Sequence, residues 1–234
     1  MTYTKASHAE LLAQLASLSS GPELIAFQSK VIPGIANMIG VRTPALRKIA
    51  KTLLKGDWRG FLAMDDHSHF ELDMLAANII ANAKCDPDER FALIAQFLPH
   101  ISNWAVCDMI GMDMKCARKY PAEFWTFIEP LWQCEHEFTL RFPIVLSLSQ
   151  FLNDAYIERV LAHLLGVRSE AYYVRMALAW AYSCCFIEFA DETLPLFERG
   201  DIADAWVHNK AIQKTRESRR VNAALKAHLS SLKR

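Results

Sequence analysis

Leu, Ala and other apolar residues return every three or four positions along most of the chain, and short polar breaks interrupt them. That spacing is the period of an α-helix with one buried face. A first helix is expected over 7–18, ended by Ser19-Ser20-Gly21-Pro22, and a short one over 23–30, ended by the turn Val31-Ile32-Pro33-Gly34. Thr43 followed by Pro44 reads as an N-cap with proline at the first helical position, and Gly56 stops that helix. Asp57-Trp58 opens another short helix. Ser68-His69-Phe70-Glu71 fits a capping box and opens a helix to about Ala83. Asp86-Pro87-Asp88-Glu89 opens the next, to about Phe97. Ser102 is the expected N-cap of a helix that carries Trp104 and runs to about Arg118, and Tyr120-Pro121 starts one ending near Gln133. Further helices are expected over 138–150, 155–165, 170–185, 191–198, 202–216 and 218–232.

No stretch combines a period of two with a hairpin turn. The chain therefore reads as all-α. Pairs of helices recur at roughly thirty- to forty-residue intervals, which is the rhythm of an α-solenoid of degenerate HEAT-like repeats. Such an array would form one domain over 1–234, with helices presenting single residues to a concave face. An ordinary helical bundle is the alternative.

The 234 residues suffice for a sizeable core, 52 % are hydrophobic, and only 8 are Gly and 9 Pro. No apolar run is long enough for a membrane span, and Met1-Thr2-Tyr3-Thr4-Lys5 lacks the order of a secretion signal, so a cytoplasmic monomer is expected. The six cysteines form no C-x-x-C pair and no histidines accompany them at ligand spacing. Reduced thiols, no metal and no cofactor are the expectation, with Cys184-Cys185 serving as small apolar residues. The formal charge is zero but uneven. Residues 1–60 hold eight basic and three acidic groups, 61–204 ten and twenty-two, and 205–234 eight and one. A basic start and a basic end around an acidic middle fit polyanion binding by the two ends, or simply solvated helix faces.

Gly-rich phosphate loops, G-x-S-x-G and H-E-x-x-H are all missing. What remains is a set of aromatic and charged residues at mid-helix positions: Trp104, Asp108, Arg141, Tyr172, Tyr173, Arg175, Trp180 and Trp206. Trp104 and Asp108 are four apart, so a helix stacks them on one face. An indole can hold a flat or cationic group, and a carboxylate can steady positive charge that develops beside it. The same spacing also suits a core tryptophan with a solvated or Arg-paired aspartate.

Five stretches, GVRTPALRKIAK at 40–51, NWAVCD at 103–108, LRFPIVL at 140–146, YYVRMALAWAYS at 172–183 and WVHNKAIQKTRESRRV at 206–221, resemble in order the AlkD-type DNA alkylation repair family of HEAT-like glycosylases. The resemblance implies a curved solenoid holding alkylated duplex DNA on a basic face. It implies excision of cationic N3- or N7-alkylated purines without drawing the base into a deep pocket, unlike the usual base-flipping scheme. By motif it places the site on Trp104, Asp108, Trp180 and Arg141, with Asp108 stabilising an oxocarbenium-like sugar, the tryptophans lining the slot and Arg141 holding a phosphate. Arg175 competes with Arg141 for that last role. Arg42, Arg47, Lys48 and Lys51 near one helix start, and Lys210, Lys214, Arg216, Arg219 and Arg220 near the end, would grip the DNA backbone without reading sequence. The neutral net charge departs from the expected basic duplex binder. A non-catalytic helical scaffold for branched or damaged DNA, or for a protein partner, is the competing reading.

Overall fold

A computed structural model describes residues 2–35 and 37–234; Met1 and Ala36 lie outside the described residues. Every regular element among the described residues is helical. The chain divides into two compact units, Met1–Lys119 and Tyr120–Arg234.

The first unit contains α1 (Lys5–Ser17), α2 (Pro22–Val31), α3 (Thr43–Leu53), α4 (Trp58–Leu62), α5 (Phe70–Asn82), α6 (Pro87–Phe97) and α7 (Trp104–Asp113). Several starts follow the local chemistry foreseen from sequence. Asp57 caps α4 by accepting from the Gly60 amide at 2.9 Å, and Asp86 caps α6 by accepting from Glu89 at 2.8 Å. The helix with Pro44 begins one residue earlier than expected, with Arg42 as the cap and Thr43 already helical. The helix with Trp104 also differs. Its cap is Asn103, whose side chain accepts from the Val106 amide at 3.0 Å, and it ends at Asp113 before a separate 3-10 turn over Lys115–Arg118.

Helix α5 is the centre of this unit, packed between α3 and α7. It is buried on nearly every face, with Leu72, Leu75, Ala77 and Ile79 at most 1 % exposed and the polar Glu71, Asp73 and Asn78 buried with them. Each such aliphatic side chain contributes about 1.5–3 kcal/mol by leaving water. Arg90 of α6 closes its end by donating to the carbonyls of Ile80 and Ala83.

The capping box expected at Ser68–Glu71 does not form. Helix α5 begins at Phe70 with no side-chain cap, and Ser68 Oγ meets His69 Nδ1 instead. Glu71 has a longer reach. Its fully buried carboxylate accepts the backbone amides of Ile39 (2.9 Å), Gly40 (2.7 Å) and Val41 (3.1 Å). Three amides outweigh the one that a cap would offer, and charge-assisted bonds of this kind are the strong ones. Gly40 is required at this clamp. Its φ is +90°, and a Cβ there would lie 2.7 Å from Ile25 Cγ1.

The second unit holds α8 (Pro121–Ile128), α9 (Glu137–Gln150), α10 (Ile157–Gly166), α11 (Tyr172–Glu188), α12 (Ala190–Arg199), α13 (Ala205–Glu217) and α14 (Ala223–Ser231). Helix α11 is its centre, packed against α9 and α13. Glu137 of α9 accepts from the Tyr173 amide at 2.7 Å and so caps the start of α11 from outside. Arg175 of α11 forks onto Asp204, with Nε–Oδ2 at 2.7 Å and Nη2–Oδ1 at 3.0 Å. Asp204 in turn caps α13 through the amides of Trp206 and Val207.

Two measurements check these joints. Glu71→Gln puts an amide donor where the loop amides need an acceptor, and is expected to lower stability by about 1.5–3 kcal/mol in chemical denaturation. The Arg175 guanidinium, ahead of the capping amides, holds the Asp204 carboxyl below its usual range against the opposing effect of burial. A carboxyl depressed in the folded state contributes stability above its unfolded value and loses it as pH falls. Asp204→Asn is therefore expected to cost up to about 1 kcal/mol near neutrality, with the gap to the parent closing once pH drops below about 4.

Candidate functional site

Helix α7 has two unlike sides. Val106, Cys107, Met109 and Ile110 are buried, while Trp104 and Asp108 are half-buried and Met112 is exposed. Those last three follow one another at intervals of four, so one stripe of the helix stays open. The stripe borders a groove of about 400 Å³ whose other walls are Phe27, Gln28 and Val31 of α2, Thr43 and Arg47 of α3, and Phe70 and Met74 of α5. The volume is that of a small-ligand cleft.

Trp104 does not swing freely in this groove. Its indole N–H donates to the carbonyl of Val31 at 3.1 Å, which satisfies an orphan acceptor at the end of α2 and fixes the ring on the wall. Asp108 lies one turn further along the same face. At the far end of α7, Asp113 also borders the groove, but Arg47 holds it by a fork with Nη1–Oδ2 at 2.6 Å and Nη2–Oδ1 at 3.2 Å. Asn78 adds a donor to the same Oδ2 at 2.8 Å. The groove thus carries a neutralised Arg–Asp pair beside Asp108. Its rim is apolar: Phe27 is 64 % exposed, and Val31 and Met112 are exposed as well. Neither this aromatic rim nor the Arg47–Asp113 pair was foreseen. The pair joins residues 66 apart in sequence, and an exposed Phe on a short helix looks like any other apolar position.

Arg42, Lys48 and Lys51 lie exposed on or beside α3, whose Thr43 and Arg47 form one wall of the groove. Of the α3 cations, Arg47 borders the cleft that holds Asp108, while Lys48 lines a separate pocket with Tyr3, Leu11 and Asp57. Arg47, counted among the phosphate-binding cations from sequence, is the partner of Asp113 in this structure.

The remaining expected site residues belong to the second unit. Trp180 is half-buried on α11, with its indole hydrogen-bonded to the Cys184 sulfur one turn on. Burial pushes the Cys184 thiol up to about 11 and raises that of Cys185 further, so both remain protonated and unreactive. All six cysteines are free thiols. Arg141 of α9 is only 5 % exposed, and its Nη1 donates to the Tyr173 carbonyl at the α11 start. Arg175, its competitor, is held by Asp204, and its guanidinium sits 4.7 Å over the Trp206 ring. Trp206 meets Tyr172 at 6.1 Å, which gathers three residues singled out from sequence into one half-exposed cluster.

Of the terminal cations, Arg216 and Arg219 are exposed and Lys214 is half-buried. Lys210 contacts Gln213 at 3.0 Å, and Arg220 forks onto Glu188 of α11. No described helix is long and apolar enough to cross a membrane.

No curated protein and no solved structure matches the chain. A family model described as DNA alkylation repair enzyme does match, over residues 11–183, which takes in both α7 with its groove and α11 through Trp180. The open tryptophan–aspartate stripe thus lies within the matched region, and the chain belongs to the DNA alkylation repair enzyme family.

Proposed function

We propose that this protein is a monofunctional N-glycosylase that releases cationic N3- or N7-alkylated purines from duplex DNA. The observation that carries the reading is the pair Trp104 and Asp108, side by side on the open stripe of α7 in a cleft that Arg47 of α3 also borders.

The chemistry asks little of the protein. An alkylated purine already bears a positive charge, so its bond to the sugar is weak. When that bond breaks, its electron pair goes to the purine, which leaves neutral, and the positive charge passes to the deoxyribose. A fixed carboxylate beside the sugar lowers the energy of that state. Water then forms the new bond to the sugar carbon and gives up a proton, with Asp108 placed to orient it. The π-face of Trp104 prefers a cation to a neutral ring. Its anchored N–H means the ring needs no ordering when DNA arrives. The exposed Phe27 supplies a further stacking surface at the rim.

Trp180, half-buried on α11, keeps the DNA-contacting role that the resemblance implies. Arg141 acts from inside the second unit by holding the start of that helix through the Tyr173 carbonyl. Arg42, Lys48 and Lys51 on one unit, and Lys214, Arg216 and Arg219 on the other, bind phosphates without reading sequence. The competing reading is a scaffold that binds damaged DNA without cutting it. That reading makes Asp108 dispensable.

Release of 7-methylguanine from methylated duplex DNA separates the two. Asp108→Asn is expected to slow single-turnover release about a hundred- to a thousandfold while DNA binding and the melting temperature stay near those of the parent. A parent protein that liberates no methylated base overturns the glycosylase reading. In a binding assay across a salt series, Lys214→Ala with Arg216→Ala is expected to weaken binding for all sequences alike. It should also reduce the slope of log affinity against log salt by about one for each phosphate that is no longer neutralised.

A further inference from the structure

The turn between α4 and α5 and the 3-10 turn Leu98–His100 bring together groups that play no part in releasing a base. The imidazoles of His67 and His100 stack with centroids 4.1 Å apart and planes 8° from parallel. Asp65 Oδ1 is 3.4 Å from His67 Nε2. The donor atoms of Asp65, His67 and His100 all lie within 4.8 Å of one another. Asp65 and His100 are exposed, and His67 is half-buried. Asp65 is also the one non-glycine residue among those described with a positive φ, at 49°.

The far side of His67 decides what the cluster can do. Its Nδ1 lies 2.6 Å from Asp73 Oδ1 on α5. A neutral imidazole carries one N–H, and a carboxylate at that distance claims it for Nδ1. In the tautomer with the proton on Nδ1, Nε2 keeps its lone pair, 3.4 Å from Asp65 Oδ1. Nε2 is shut off from solvent and accepts no hydrogen bond from any described residue. A buried lone pair without a partner is costly, and a cation beside it removes the cost. A carboxylate fixing the outer nitrogen of a histidine is also the recurrent support of a metal-ligating imidazole.

We propose that Asp65, His67 and His100 form a binding site for a divalent transition-metal ion of the zinc class, with Asp73 as the carboxylate that orients His67. Two imidazoles and one carboxylate suit zinc, cobalt or nickel better than magnesium or calcium, which prefer oxygen throughout. Three protein donors leave a fourth position for water. Zinc–nitrogen bonds of about 2.0–2.1 Å need donors roughly 3.4 Å apart in a tetrahedron. His67 is the fixed member; the exposed Asp65 and His100 side chains close the rest by rotation. The ion would tie the turn before α5 to the turn before α7. Proteins do this with structural zinc where two loops have little apolar surface between them. The site rests on none of the residues assigned to glycosylase chemistry.

The test is a titration of the metal-stripped full-length protein with Zn²⁺, followed by calorimetry and by competition with a chromophoric chelator. One equivalent is expected to bind, with a rise in melting temperature that follows the ion concentration. Asp73→Asn is expected to weaken binding by about 10–100-fold. His100→Ala, at an exposed position that the fold tolerates, should weaken it more than that and abolish the melting shift. Cobalt in place of zinc reports the donors, since a site without thiolate gives no strong sulfur-to-metal absorption. Wild-type protein that takes up no ion overturns the proposal. So does tight binding that survives His100→Ala and His67→Gln, because the ion would then sit elsewhere, on the free thiols for example.

Discussion

The first unit depends on a buried carboxylate. Glu71 sits at the start of its central helix with no exposure to solvent, and three consecutive backbone amides converge on its two oxygens. Removing an ion from water costs several kcal/mol unless its oxygens are fully met. Here the amides of residues 39–41 meet them, and the same amides would otherwise be unsatisfied in the interior. Each side therefore enforces the other. The clamp sets the direction in which the chain leaves the loop and enters α3, and so places Thr43 and Arg47 on the groove wall. A second bond, from the Phe70 amide to the Asn37 carbonyl at 3.1 Å, ties the first residue of α5 to the same loop. One wall of the candidate site is thus fixed by an acid that faces away from it.

The chemistry of the groove follows from how its charges are partitioned. Asp108 and Asp113 are both on α7 and both border the cleft. Asp113 receives a two-pronged guanidinium and an amide donor, which spend its oxygens on structure. That pairing also lowers the negative charge of the cleft. An acidic groove would repel phosphates, and neutralising one of its carboxylates in place weakens that repulsion. The uneven charge along the sequence is resolved in the same manner elsewhere. Acids of the middle segment, among them Glu89, Glu188 and Asp204, are each bound to an arginine.

What could be read from the sequence was whatever sits within one or two helical turns. The spacing of Trp104 and Asp108 placed them on one face, and the cap-and-proline signals located α4, α6 and α8 closely. Local rules failed where a distant partner offered more. Glu71 is an ideal capping-box residue by position, but three loop amides about thirty residues upstream claim it. Ser102 gave way to Asn103 because an amide oxygen one residue on reaches Val106 with good geometry. Arg47 looked like a phosphate ligand because nothing nearby in sequence could pair with it, and Asp113 is brought to it only by the packing of α3 and α7 around α5. Arg141 had the residue type for a surface clamp, while its burial comes from the depth of α9 beneath the start of α11.

The histidines carry the same lesson further. His67 and His100 are far apart in the chain, and neither has the spacing of a metal motif, so a search for short ligand patterns passes over both. They meet because α5 and α6 form an antiparallel excursion whose two ends return to one place, the turn before α5 and the turn after α6. Asp73 then adds what sequence could never have supplied, a carboxylate 2.6 Å from one ring nitrogen of His67, which leaves the other nitrogen beside Asp65. A helical array makes such meetings common, since each helix pair brings its outer turns together whatever the residues between. Chemistry that needs several groups at once is therefore written into these folds at the turns as readily as along the open helical faces.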